Sequence, residues 1–507
     1  MENNEIKRLE TIERRIKAIA EENGLSVVEI DFEIVSAQKM LEGMAYMFPT
    51  NFSHWSFGRD YEKARTIYDH TGAGIPYEVV WNFDVPRAFI VESNPFALKA
   101  LVIAHVYGHV DFFLNSRYSG HGRVFSDIAE EARHAAQRFR EYELLYGKEA
   151  VEKTIDAAMS IRWQAHPDTL FEEELDNEAA RERLMNLERA KLRSARDLSS
   201  EFSSPPTAKE IAAIEGRLRQ LSERVPPEPI YDLLGYIGRY STRLNSWQRD
   251  IISVVRNQAR ALAPNARTKL LNEGWATFWH ARIMRRLFEE KLLTPEEHGI
   301  FNDFHSGVTR ESRLNFNWYS VGPALIEYIE ERWDRGCFGR AYEDCRDPIK
   351  KAHWDTGANK GREKILAVRS FYSDRMAVEE FFTDEFIDRI KLYIYEAVTD
   401  PHTGDIHYVI AEKDPEVIRG ILKSRFAAVM GTQPIVIKNA DHNNRGELYL
   451  FHDYGATGAE LDERYRDGAL ENLQYLWARK VHLETVISGK QAVCSYDSKQ
   501  KKVTVSK

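Results

Sequence analysis

The run from Ala97 to Leu114 constrains this chain more than any other segment. It is apolar on almost every face, so as a helix it must be enclosed by other elements rather than laid on a surface. Lys99, His105, His109 and Asp111 interrupt it, and ionisable groups at those depths exclude a membrane span. The run therefore reads as a core helix, with Asn94 as N-cap and Pro95 at its first helical position. A chain of 507 residues exceeds what one hydrophobic core usually organises, so a second, smaller domain is expected.

Composition narrows the class. Hydrophobic residues make up 43% and charged residues 29%, the balance of an ordinary globular protein. The net charge of −9 and pI near 6.0 leave no positive field to hold nucleic acid or an anionic membrane. Three cysteines, Cys337, Cys345 and Cys494, lack metal-ligand spacing and form no disulfide framework, which points to a reducing compartment. Met1-Glu2-Asn3-Asn4-Glu5 opens no basic and apolar leader, so a cytoplasmic protein is expected.

Residues 5–46 carry helix-period apolar positions up to a break at Phe48-Pro49-Thr50. The aromatic, Gly- and Pro-rich stretch 51–95 reads as irregular and partly stranded. Helices are expected at about 124–146, 148–163, 170–198, 231–263, 268–292, 323–333 and, as one or two pieces, 363–390. Breakers at Leu198–Thr207 and Val225–Pro229 mark 164–229 as an exposed insertion. Beyond Lys391 the pattern turns to strands and helices in the order ββα-ββα-βββ: strands in 392–398 and 406–410, a helix at 414–429, strands at 433–438 and 447–452, a helix at 460–478, then three terminal strands. The fold class is thus a mainly α large domain over 1–390, with a zincin-like helical core, and a smaller C-terminal α+β domain over 391–507.

Chemistry concentrates in two helical segments. His105 and His109 stand four apart and so share one helix face, where a single metal ion can reach both; the alternative is two core histidines satisfied by hydrogen bonds. Zinc-peptidase helices with this spacing place a glutamate base after the first histidine, but here that position is Val106. The stretch Leu271-Asn272-Glu273-Gly274-Trp275-Ala276 resembles the one by which gluzincin peptidases supply a glutamate as third zinc ligand. Glu273 and His280 lie two turns apart, roughly 10 Å along the axis, and so act at different levels of one pocket. Glu273 is the expected ligand, or else a buried carboxylate paired with Arg or Lys. His280 is a partner to a ligand or an alternative ligand. The expected cofactor is a divalent metal, zinc by this donor set.

Phe52 to Arg59 packs three aromatics, His54 and an arginine together. His54 is a candidate proton donor or a packing residue, and Trp55 and Trp275 are candidates to flank a substrate. Glu131-Ala132-Arg133-His134 has the Glu-x-x-His spacing of di-iron bundles, but one copy reads as a solvated helix face. Tyr319 is a candidate oxyanion partner that nothing in the sequence positions. No phosphate-binding glycine loop or Gly-x-Ser-x-Gly elbow occurs.

Six segments in order, Phe52–Gly58, Ala104–Phe113, Trp247–Ile251, Thr268–His280, Val368–Phe386 and Tyr475–Val486, together resemble the stage V sporulation protein R (SpoVR-like) family. Arg256 to Leu262 is poorer in acidic and aromatic residues than that pattern. The resemblance implies a cytosolic protein linked to sporulation and spore cortex (peptidoglycan) formation, or to stress physiology in bacteria that do not sporulate. It also implies a serine kinase and a von Willebrand-like protein as partners, and a peptidoglycan precursor or a protein as substrate. Two functional classes follow: a metal-dependent hydrolase of amidase or peptidase type, or a non-catalytic scaffold with a structural histidine centre.

Overall fold

A helix with no polar face needs neighbours on every side, and the fold supplies them. The computed structural model describes residues 3–46, 52, 54–71, 78–123, 128–166, 173–196, 207–313, 315–400, 402, 404–428 and 430–506. The expected breaks at Phe48-Pro49-Thr50 and at 198–206 lie outside these residues. The chain forms two compact units, one of residues 1–134 and 261–426, the other of 135–260 and 427–507.

In the first unit the helix Phe96–Asn115, here the histidine helix, is buried at every residue from Ala97 to Phe113. It is long and apolar enough to cross a membrane, yet 94% of that window is buried within the protein. The helices Asn3–Glu22, Lys269–Glu289 (the glutamate helix) and Pro295–Val308 pack around it. Its charges are matched from neighbouring segments: Lys99 Nζ meets Glu5 at 2.8 Å, and Arg369 Nη1 donates to both Asp111 oxygens at 2.7 and 2.8 Å. Ser26 N and Trp275 Nε1 also donate to Asp111, each at 2.7 Å, so one buried carboxylate ties four segments together.

Small residues set how closely these helices approach. A Cβ on Gly108 would stand 2.6 Å from Ala276 Cα, and one on Gly274 would stand 2.6 Å from the Gly322 carbonyl carbon. Gly322 belongs to the helix Trp318–Asp334, which packs on the far side of the glutamate helix. The glutamate helix is thus held between two neighbours at near-backbone contact, and that brings its side chains within reach of the histidine helix.

A small sheet of order β1-β3-β2 completes this side: β1 (Asp31–Val35) pairs parallel with β3 (Arg87–Val91), and β2 (Glu78–Trp81) pairs antiparallel with β3. β2 is its edge strand beside the histidine helix. A separate hairpin of β4 (Ile394–Thr399) and β5 (Ile406–Glu412) follows, then the helix Pro415–Ala427, whose Ile418, Leu422 and Phe426 join the core of this unit.

The second unit is built on a five-stranded sheet of β6 (Ile435–His442), β7 (Glu447–His452), β8 (Val481–Ile487), β9 (Lys490–Asp497) and β10 (Lys502–Ser506), in the order β10-β9-β8-β7-β6. β7 and β8 are parallel, so their connection crosses over through the helix Glu463–Trp477. The helix Lys148–Ser160 packs on that crossover helix.

The molecule is mainly helical with a smaller C-terminal α+β part, and strands and helices beyond residue 391 follow the expected order. The units themselves divide differently from 1–390 and 391–507. The helix after the hairpin buries against the first core while the hairpin strands stay exposed, whereas 135–260 folds with the C-terminal sheet. Periodicity reveals an element's face but not which distant face it meets. Within 164–229, the helices Asn177–Arg196 and Ala208–Glu223 pack on each other, the second opening on a Thr207/Glu210 capping box. β1 and the helices Trp55–Thr71 and Pro295–Val308 were not expected. The N-cap of the histidine helix is Pro95, one residue later than expected.

Candidate metal centre

The close crossing of the two helices brings Glu273 against the imidazole pair. Glu273 Oε2 is 3.6 Å from His105 Nε2 and 3.6 Å from His109 Nε2. From β2, Glu78 Oε1 reaches to 3.7 Å from His105 Nε2, and the ligand atoms of Glu78, His105 and His109 all lie within 4.8 Å of one another. The side chains of His105, His109, Glu78 and Glu273 are 4%, 7%, 13% and 16% exposed. Donors around one tetrahedral ion with bonds near 2.1 Å sit about 3.4 Å apart, close to the separations found.

Hydrogen-bond chemistry orients the rings. His109 Nδ1 lies 2.9 Å from Asn272 Oδ1. An amide oxygen only accepts, so the His109 proton sits on Nδ1 and its Nε2 turns a lone pair toward Glu273. His105 Nδ1 meets His280 Nδ1 at 2.8 Å, and His280 Nε2 meets His305 Nδ1 at 2.9 Å. This three-imidazole chain has two self-consistent polarities, running outward from His105 or inward toward it. His105 Nε2 and Glu273 Oε2 are buried without a hydrogen-bond partner.

The electrostatics separate these groups. Burial favours a neutral Glu273, but His105, His109 and Lys269 outweigh it and hold the carboxyl at about 2. Burial, reinforced by His105, pushes His109 down to about 4. Burial raises Glu78 despite the opposing pull of His105, and it lowers both His280 and His305. Tyr319 is raised by burial and by the two carboxylates.

Of the sequence candidates, His105, His109, Glu273 and His280 converge. Tyr319 joins them, its ring 6.3 Å from that of His105. His54 precedes the helix Trp55–Thr71; its Nδ1 lies 2.8 Å from Ser56 Oγ, and its ring packs on Trp55 and Phe57. Trp275 does not flank an open site. It is 2% exposed and bonded to Asp111, because a residue two positions after Glu273 points to the opposite side of the helix. His134 pairs with Glu130 on an exposed face. Sequence reasoning missed Glu78 and His305. Glu78 stands in a short strand whose place beside the histidine helix is set by tertiary packing. His305 lies on a helix announced by Thr294-Pro295-Glu296-Glu297, which forms a capping box.

A family model described as SpoVR like protein matches residues 3–430, a span that includes every member of the cluster. Uncharacterized protein YcgB of Escherichia coli (strain K12) is 25% identical over 464 residues, covering 89% of this chain and 86% of that protein. No solved structure matches.

Proposed function

The chain belongs to the SpoVR-like family, and from that premise we propose that its histidine–glutamate cluster holds one divalent metal ion, zinc by its donor set, and forms the centre of a hydrolase of amidase or peptidase type. The observation that carries this reading is the pairing of His109 Nε2 with Glu273 Oε2 at 3.6 Å. A neutral imidazole whose proton is committed to Asn272 turns a lone pair on a carboxylate in a buried site. Two acceptors facing each other in a buried site are stable only with a cation or a donor between them, and a divalent cation satisfies both at this spacing.

His105, His109 and Glu273 serve as the ligands, the two imidazoles and the carboxylate they share. A metal held there supplies Lewis acidity, polarising an amide carbonyl and acidifying water. Glu78 fills the place of the base that Val106 cannot supply, since it approaches from a different element and is one carboxylate more than a three-ligand set requires. Ligation through His105 Nε2 selects the outward polarity of the imidazole chain: His105 donates to His280, and His280 to His305. His280 is therefore a positioning residue, the role imidazole partners commonly play. Tyr319, whose hydroxyl bonds to Glu273, is given the role of hydrogen-bond donor to an oxyanion. His54, whose ring packs on Trp55 and Phe57, remains a candidate proton donor. The substrate class, an amide in a peptidoglycan precursor or a protein met in the cytosol, rests on the family resemblance alone.

Elemental analysis of the purified protein and its Glu78→Gln and His109→Ala variants, with hydrolysis of muramyl-peptide amides as readout, tests the proposal. One metal per chain is expected in the native protein and in Glu78→Gln, with hydrolysis at least about a hundredfold slower in the latter. A native protein free of stoichiometric metal ends the reading. The hairpin favours a second one: Ile406, Tyr408 and Ile410, on one face of β5, are 59%, 38% and 50% exposed, an apolar surface suited to docking the kinase or von Willebrand-like partner of a scaffold. In that case Ile406→Asp abolishes the cellular phenotype and Glu78→Gln leaves it intact.

A further inference from the structure

A cavity of about 410 Å³ lies in the first unit among the helix Trp318–Asp334, the segment 335–352 and the helix Asp384–Arg389, and shares no lining residue with the metal cluster. Its volume falls within the range of small-molecule sites. Four side-chain cations line it, Arg332, Arg335, Lys351 and Arg389, against two carboxylates, Glu331 and Glu385.

The pairing among these groups is uneven. Glu331 is taken by Arg389 at 2.7 Å and by Arg335 at 3.6 Å, while Glu385 accepts from the Tyr328 hydroxyl at 3.3 Å. Among the described residues, neither Arg332 nor Lys351 has a carboxylate within ion-pair distance. Both converge on the buried ring of Tyr342, the Arg332 guanidinium carbon 5.5 Å and Lys351 Nζ 4.7 Å from its centroid. Arg332 is also fixed in direction, because its Nε donates to the Cys337 carbonyl at 2.8 Å. That leaves the Nη2 edge of a rigid guanidinium as a donor for a planar acceptor. With four side-chain cations to two carboxylates in its wall, two of those cations lacking an ion-pair partner among the described residues, an occupant of this cavity gains most by bringing negative charge.

We propose that this cavity is a binding site for a small molecule bearing an oxyanion, a carboxylate or a phosphate, received by Arg332 and Lys351. Binding is non-covalent. Burial raises the pKa of the one thiol in the wall, Cys337, so it stays protonated and is a poor nucleophile.

Calorimetric titration of the full chain with inorganic phosphate, and separately with acetate, tests the site at low ionic strength, with sodium chloride as the control for screening. Saturable binding of at least one probe is expected. The stronger probe identifies the anion class. Lys351→Gln and Arg332→Gln should each weaken that binding by roughly tenfold or more. Lys351→Arg should retain it, and Lys350→Gln, which changes an exposed neighbour outside the cavity wall, should leave it unchanged. Because the Lys351 side chain has the Tyr342 ring as its one described contact, its replacement tests binding without loosening the wall. Heats no larger than those of sodium chloride for both probes, or binding unaltered by both Gln variants, would overturn the assignment. Neither result bears on metal content, which is measured independently.

Discussion

Two buried histidine–glutamate pairs, one in each unit, look alike and differ in where the proton must go. In the C-terminal sheet, His482 Nε2 sits 3.0 Å from Glu447 Oε2, and its Nδ1 lies 2.8 Å from Ser495 Oγ. A hydroxyl can donate, so neutral His482 keeps its proton on Nε2, gives it to Glu447 and is satisfied on both sides. At the helix crossing, His109 faces an amide oxygen that only accepts. Its proton is drawn away from Glu273, the gap to that carboxylate stays at 3.6 Å, and Glu273 is shared with a second imidazole. The first pair is complete as protein alone; the second has the form of a site built for a cation.

Substitution should separate the pairs most clearly through metal content. His109→Ala is expected to abolish stoichiometric metal, whereas His482→Ala keeps it and lowers thermal stability only; equal metal in both variants would break the contrast. A smaller loss follows from Asn272→Ser, which gives His109 the kind of partner His482 has. The proton can then move to Nε2, and metal affinity should fall about 10–100-fold, as should that of His280→Phe. Competition with a chromogenic chelator measures both. Gly108→Ala forces the helix crossing apart and should cost about 1–3 kcal/mol in denaturant unfolding, with metal binding weakened alongside; a matching change at exposed Gly468 should do neither.

The smallest effect concerns acid stability. Burial favours a neutral Glu447, but the hydrogen bonds from His482 and Asn443 prevail and set its pKa below the ordinary 4.5. A carboxyl depressed by folding contributes stability above its unfolded value and loses it as pH falls through the folded one. Glu447→Gln should therefore be less stable than the native protein at neutral pH, by about 1 kcal/mol, and the gap should close progressively below about pH 4.5. A gap that persists in acid would mean that the Glu447 carboxylate is not held by the hydrogen bonds described here.

The parts of this site that were legible in sequence are those encoded by local spacing. The spacing of four from His105 to His109 places both rings on one face, and the Asn-Glu-Gly stretch marked Glu273. The same arithmetic, applied to Trp275, would have turned it away from Glu273 and into the core. Glu78 was not legible, because a four-residue strand gains its place only through pairing with β3 and through contact with the histidine helix. Nor was the division into units, since both segments around 391 look like ordinary α+β elements and only burial of Ile418, Leu422 and Phe426 assigns the hairpin's following helix to the first core. Gly108, Gly274 and Gly322 read as helix weaknesses in a propensity scale, yet they are what lets the helices meet.

The most direct test of the cluster is anomalous diffraction from crystals of the native protein, collected above and below the zinc edge. The account predicts one strong difference peak bounded by His105 Nε2, His109 Nε2 and the Glu273 carboxylate, with Asn272 still accepting from His109. Zinc-supplied crystals that lack this peak, with a proton donated from His109 Nε2 to Glu273 in its place, would contradict it.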